Sequence, residues 1–265
     1  MTGEKRENNI GENEMKKTTN KARKNILAFV PITIMAVLIC VAWLALRARD
    51  DAGQPAGINH NNQVGHNAYD SIAPEDIQQV MSTGDFDWDL SDPHYFYKKY
   101  PIVALVSISS IDGGRSYSPI FGEYIYAHTY GSMSVKEVYK GDIKTGQTLR
   151  YSRLGGIITY EDYYKSMNKE QQEKHDYYMK GQKPERQYIR MKFENDIDIE
   201  VGKIYIVFME RLTSKDGKYE EYGIEGLQYG LREARGYNNK SDSAVTILNN
   251  ETGKWEELNR FIPIK

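Results

Sequence analysis

The chain has 265 residues, and its 35 Lys plus Arg against 37 Asp plus Glu give a formal net charge of −2. That average hides a split. Residues 1–24 carry seven basic and four acidic side chains (+3), Arg47 and Arg49 add +2, and residues 50–265 hold 26 basic against 33 acidic ones (−7). An acidic bulk argues against a nucleic-acid binder, and a single Cys excludes a disulfide framework and any multi-Cys zinc or iron–sulfur site.

Residues 1–24 are polar and charged, with no hydrophobic period, and are expected to be a disordered cytoplasmic tail whose lysines can touch anionic lipid head groups. Ile26 to Leu46 is a run of 21 residues without a charge. At about 1.5 Å per residue it matches a hydrocarbon core of about 30 Å. It has no polar face, which argues against a buried core helix, and the predicted transmembrane helix covers residues 25–46. Lys16, Lys17, Lys21, Arg23 and Lys24 crowd its N-terminal side, whereas Arg47 and Arg49 are followed at once by Asp50 and Asp51. The positive-inside bias then predicts a cytoplasmic N-terminus and a C-terminal domain outside the cell membrane. An uncleaved signal anchor ranks ahead of a cleaved signal peptide, because the apolar stretch is long and Leu46 sits at −3 of the nearest small-residue site. A lipoprotein ranks third, since Ile39 precedes Cys40 where a small residue is needed. Cys40 is then an apolar filler within the bilayer.

Residues 47–70 are rich in Gly, Asn, Asp and Gln and predict a flexible linker. Residues 71–265 have the size of one domain. A short helix is expected at about Ala73–Met81, since Pro74-Glu75-Asp76 suits a first turn. Strands are expected at Ile102–Ile111, whose second half alternates, at Glu123–Tyr130, as a strand of its own or an extension of the next one, at Ser132–Tyr139, and at Thr148–Arg153, which stops at Gly155-Gly156. Residues 161–180 have no Gly or Pro and are dense in helix formers, with Thr159 as a cap, which predicts one lightly packed helix. Tyr188–Phe193 alternates cleanly, and Lys203–Met209 is apolar almost throughout, as a central strand would be. Tyr219–Ile224, Ala244–Leu248 and Trp255–Leu258 read as hairpin material. The fold class is therefore mainly β (α+β): a transmembrane helix, then an OB-like β-barrel with an inserted helix and extra C-terminal hairpins. Three strands, a helix and two strands is the order of the oligonucleotide/oligosaccharide-binding barrel.

Two segments carry a family resemblance. Val135-Lys136-Glu137-Val138-Tyr139-Lys140-Gly141 is similar to a strand ending in an aromatic-Lys-Gly turn, and Val201-Gly202-Lys203-Ile204-Tyr205-Ile206-Val207-Phe208 to a "G-x-x-Y" apolar strand, of the netrin-like or tissue-inhibitor-of-metalloproteinases branch of that barrel. The likeness spans about residues 100–210. That family is held by disulfides and inhibits proteases through a free N-terminal Cys. This domain has no Cys, so the resemblance implies a fold and a binding role, not inhibition.

All 21 tyrosines lie between Tyr69 and Tyr237. A tyrosine offers a flat apolar face and a hydroxyl, which suits sugar stacking and protein contacts. It is also a strand former that fills half-wet positions. Tyr160, Tyr163, Tyr164, Tyr177 and Tyr178 form the candidate binding patch. Asp85, Asp87, Asp89 and Asp92 are spaced like calcium ligands, but Leu90 and Phe96 stand where an EF-hand needs Gly and Glu, so a solvated acidic turn is expected. His60 and His66 lack fixed acidic or Cys partners for a metal. No G-x-S-x-G or H-E-x-x-H motif occurs. His94, His128 and His175 fall in no recognisable catalytic frame, while carboxylate pairs stay open to geometry. No catalytic residue, cofactor or metal is assigned. The leading expectation is a single-pass, membrane-anchored, non-catalytic module that binds a cell-envelope glycan or protein partner. The alternatives are a cell-surface hydrolase using carboxylates or serine, and a structural subunit of an envelope complex.

Overall fold

The computed structural model describes residues 65–237 and 245–263 of the chain. The expected tail and the expected membrane span Ile26–Leu46 lie outside the described residues. Among the described residues no helix is long and apolar enough to cross a membrane.

The element order is β1 (His66–Asn67), β2 (Ile77–Ser82), α1 (Tyr95–Lys99), β3 (Ile102–Ser118), β4 (Glu123–Lys140), β5 (Thr148–Leu154) and β6 (Gly156–Thr159). Then come α2 (Tyr160–Ser166), α3 (Lys169–Met179), β7 (Tyr188–Phe193), β8 (Ile204–Thr213) and β9 (Glu220–Ile224). The chain closes with α4 (Leu227–Gly230), β10 (Leu231–Arg235), β11 (Thr246–Asn249) and β12 (Lys254–Glu257). The described part is mainly β and is built on one large sheet.

Five strands of that sheet return on themselves. β3 pairs with β4, β4 with β5, β5 with β9, β9 with β8, and β8 again with β3. Only the β5–β9 pairing is parallel. Closure leaves no open edge within the ring. β3 and β4 carry repeated register shifts along their pairing, and such bulges bend long strands enough to turn a corner. At Gly131 the chains approach so closely that a Cβ would lie 2.1 Å from the Ser110 carbonyl oxygen.

β3 and β8 are buried on both faces, which is why each reads as a continuous apolar run. Ala104, Val106 and Ile108 of β3 share one cluster with Tyr205, Val207 and Met209 of β8. Val103, Leu105, Ile206 and Phe208 belong to a second cluster with Phe96 and Tyr100, Ile247 of β11, and Leu258 and Phe261. The two segments that carry the family resemblance have structural work to do here. Lys140 donates from Nζ to the carbonyls of Tyr97 and Tyr100, both at 2.7 Å, closing the end of α1. Gly141 takes φ +104° immediately after it, a region that favours glycine. Tyr205 accepts the backbone N–H of Glu200 at 3.2 Å, pinning the turn through Gly202.

A second, three-stranded sheet runs β2-β7-β6. It has a small core of Ala127, Ile158, Ile189 and Met191. The distal part of the β3–β4 hairpin reaches it: Ser116 donates to the Asp162 carbonyl of α2 at 2.8 Å.

Of the two readings of Glu123–Tyr130, the extension holds: with Ser132–Tyr139 it forms one strand, β4, because Gly131 continues the ladder opposite Ile111. Other expectations change. The helix expected at Ala73–Met81 is a single 3-10 turn at Pro74–Asp76, after which Ile77–Ser82 pairs in parallel with β7. Tertiary pairing overrides the helical propensity there. The helix expected over 161–180 breaks at Met167-Asn168. Asn168 accepts the Gln171 N–H and Gln171 returns a bond to the Asn168 N–H, a capping box that starts α3 afresh. β6 and β10 were not expected at all, each being only four or five residues long. Within the stretch read as linker, His66–Asn67 pairs with Ser110–Ile111.

Candidate functional site

β2, β4, β7, α2 and α3 together enclose a groove of about 510 Å³. The strands supply Val80, Ser82, Tyr126 and Met191. The helices supply Tyr163, Ser166 and Met167 on one side and Gln171, Lys174, His175 and Tyr178 on the other. On the strand side, the Tyr126 hydroxyl donates to Ser82 Oγ at 3.0 Å and its ring leans on Phe193 at 5.1 Å between centroids.

The helical wall is held by a chain of polar contacts. The Tyr160 hydroxyl meets His175 Nε2, His175 Nδ1 faces Asp176 Oδ1 at 3.2 Å, and Asp176 Oδ2 accepts from the Tyr164 hydroxyl at 2.9 Å. Gln172 adds a bond to the Tyr164 carbonyl at 3.1 Å. The bond to His175, then that to Tyr164, holds the Asp176 carboxyl below its ordinary range. Burial pushes the Tyr160 phenol up, and the Asp176 bond pushes that of Tyr164 up. Both tyrosines therefore stay protonated and serve as struts between α2 and α3 rather than as bases.

The five tyrosines singled out in the sequence thus divide. Tyr163 and Tyr178 line the groove. Tyr160 and Tyr164 are engaged in the polar chain behind it. Tyr177 is 73% exposed and meets Tyr178 edge-on at 5.6 Å. The groove residues that sequence reasoning missed, Val80, Ser82, Tyr126 and Met191, come from three strands distant in sequence. Two of those strands were expected from the sequence, Tyr188–Phe193 by its alternation and Glu123–Tyr130, whereas Ile77–Ser82 was read as part of a helix.

Other marked residues are explained locally. Asp89 accepts from Ser91 and Asp92 from the His94 N–H and Lys98, so the acidic run is the turn that launches α1. Phe86 and Trp88 stack at 4.3 Å within it. His94 contacts the Asn259 carbonyl at 3.1 Å, and His128 Nδ1–H donates to the Tyr126 carbonyl at 2.7 Å. Among the described residues, no three His, Cys, Asp or Glu side chains converge as a metal site would require. No family model, curated protein or solved structure matches this chain.

Proposed function

We propose that this chain is a single-pass, membrane-anchored module that displays a non-catalytic binding domain outside the cell and takes a cell-envelope glycan in the groove between α2, α3 and the three-stranded sheet. The groove itself carries the reading. Two tyrosine faces, Tyr163 and Tyr178, stand beside the amide of Gln171 and the ammonium of Lys174 on a wall fixed by polar contacts. Flat apolar faces flanked by a few orienting polar groups suit a pyranose ring, which is apolar on its faces and polar around its edge. The membrane anchor rests on the uncharged run Ile26–Leu46 and the basic flank before it.

The barrel belongs to the same proposal. An order of three strands, a helical insertion and two strands, with a single parallel pairing between the third and fifth, supports an OB-type barrel. The aromatic-Lys-Gly turn and the G-x-x-Y strand support its netrin-like branch.

The test uses the full chain in detergent micelles, probed on a glycan array and against purified cell-wall material. Tyr163→Ser with Tyr178→Ser is expected to weaken glycan binding about tenfold or more, where tenfold corresponds to about 1.4 kcal/mol, with the circular dichroism spectrum unchanged. Unchanged binding in the folded double variant overturns the groove reading. Capture of a protein alone, with no glycan retained, replaces the glycan by a protein partner. Protease added to intact cells should remove the domain and spare an N-terminal tag; a protected domain overturns the topology.

A further inference from the structure

The three-stranded sheet has a second occupied face. Strand residues alternate between faces, and the register pairs Gln79 with Arg190 and Val80 with Met191. Val80 and Met191 face the tyrosine groove. Gln79, Arg190 and Lys192 face the other way, into a separate pocket of about 370 Å³ closed by the barrel residues Thr129 and Arg153 and by the segment Asp196–Ile199.

The polar groups of this pocket are unevenly matched. Arg153 and Asp196 form an ion pair at 2.5 Å, with side chains only 6% and 2% exposed. Asp196 Oδ1 also accepts the Ile197 N–H at 2.9 Å. Asp198 takes Arg190 at 2.6 Å and Lys192 at 3.3 Å. Burial pushes the Asp198 carboxyl up, but the bond to Arg190 and the two positive charges more than reverse it, so Asp198 is an anion; Asp196 is the other acidic partner, in its ion pair with Arg153. Three cations then face two anions, and Arg153 Nε has no hydrogen-bond partner. A buried guanidinium N–H without an acceptor is costly, and such a group in a native fold calls for an explanation. The walls beside it are apolar, with Ile111, Ile157 and Ile199.

We infer that this pocket is a binding site for a small organic anion, with a carboxylate or phosphate-ester head seated on Arg153, Arg190 and Lys192 and an apolar body against the isoleucines. The excess positive charge supplies the sign of the ligand. The unmatched guanidinium N–H supplies the donor that an oxyanion accepts, and a planar fork binds oxyanions in two places at once. The apolar walls favour an organic acid over a bare ion. The site lies on the face of the sheet opposite the groove, so it stands whether or not the groove binds a glycan.

Isothermal titration of the full chain in detergent micelles, at fixed ionic strength, tests it with benzoate and phenyl phosphate as probes, benzamide as the uncharged control and acetate as the head group alone. Saturable binding of one benzoate or phenyl phosphate per chain is expected, at least tenfold tighter than acetate, with no binding of benzamide. Lys192→Gln and Arg190→Gln should each weaken it about tenfold. Arg153→Gln can fail to fold because it strands Asp196, so Ile72→Trp, which fills the pocket from its half-exposed rim, serves as the second variant and should abolish binding with thermal stability retained. The Tyr163→Ser, Tyr178→Ser variant should bind the probes as wild type does. Absence of saturable binding to wild type, equal binding of benzamide, or undiminished binding in the folded Ile72→Trp variant overturns the inference.

Discussion

The closed ring of five strands and the three-stranded sheet are built on different terms. The ring strands β3 and β8 bury both faces over Ile102–Val106 and Tyr205–Met209, and the two clusters they join contain most of the large buried side chains. The sheet β2-β7-β6 has a core of four buried residues, yet both of its faces border a pocket. Its helical wall has no buried residue in either α2 or α3 and is held by hydrogen bonds and caps instead. Apolar burial is thus concentrated in the ring, while both pockets border its appendage. Such a division would let the surface of the appendage change without threatening the fold that carries it.

The largest expected effect tests the ring side of that contrast. Phe208 is 2% exposed and packs among Phe96, Leu105 and Ile247. Phe208→Ala should cost about 3–5 kcal/mol of unfolding free energy, a large share of the about 5–15 kcal/mol typical of a domain. Urea denaturation would measure it, and a cost near zero would show that the outer barrel face is not a true core.

On the appendage side, Asn168→Ala removes the capping box of α3. The expected loss is about 1 kcal/mol. Hydrogen exchange should rise in Lys169–Met179 while β3 and β8 keep their protection. If protection fell equally throughout, the ring and the helical wall would be a single cooperative unit and the contrast would fail.

The smallest effect lies where the two regions meet. His128 on β4 is held below the ordinary imidazole range, first by burial and then by the Arg115 charge. Below about pH 6.5 the unfolded chain takes up a proton at this position that the folded chain resists. Stability from this residue is therefore present at neutral pH and is lost as pH falls. His128→Gln should flatten the decline in urea midpoint between pH 7.5 and pH 5, and an unaltered slope would remove His128 as its source.

The core strands were legible in the sequence because their residues report their own surroundings. Ile102–Val106 and Ile204–Met209 are apolar on both faces, and the structure buries nearly all of both, while the second half of Ile102–Ile111 alternates and leaves Ser109 exposed. Tyr188–Phe193 alternates, and it lies in a sheet with two unlike faces. The groove was half legible. Tyrosine density pointed to α2 and α3, but density does not say which rings turn inward, so Tyr163 and Tyr178 could not be told apart from Tyr160 and Tyr164. The pocket around Arg153 carried no signal at all. Arg153, Arg190 and Asp196 are ordinary residues in three separate segments, and no local pattern foretells that they meet.

By itself, then, the sequence determined the β-rich class, the breaks at Gly141 and Gly155-Gly156, and an acidic Cys-free domain behind an uncharged run, because these depend on composition and on residues close in the chain. The tertiary structure decided that Ile77–Ser82 is a strand, that five strands close on one another, and that one small sheet borders a tyrosine groove on one face and turns the other toward the unmatched guanidinium of Arg153 on β5. Those outcomes depend on pairing partners up to about a hundred residues apart in the chain, Ile77 with Tyr188 among them, and a strand's neighbour is chosen by burial and hydrogen bonding across space rather than by local propensity.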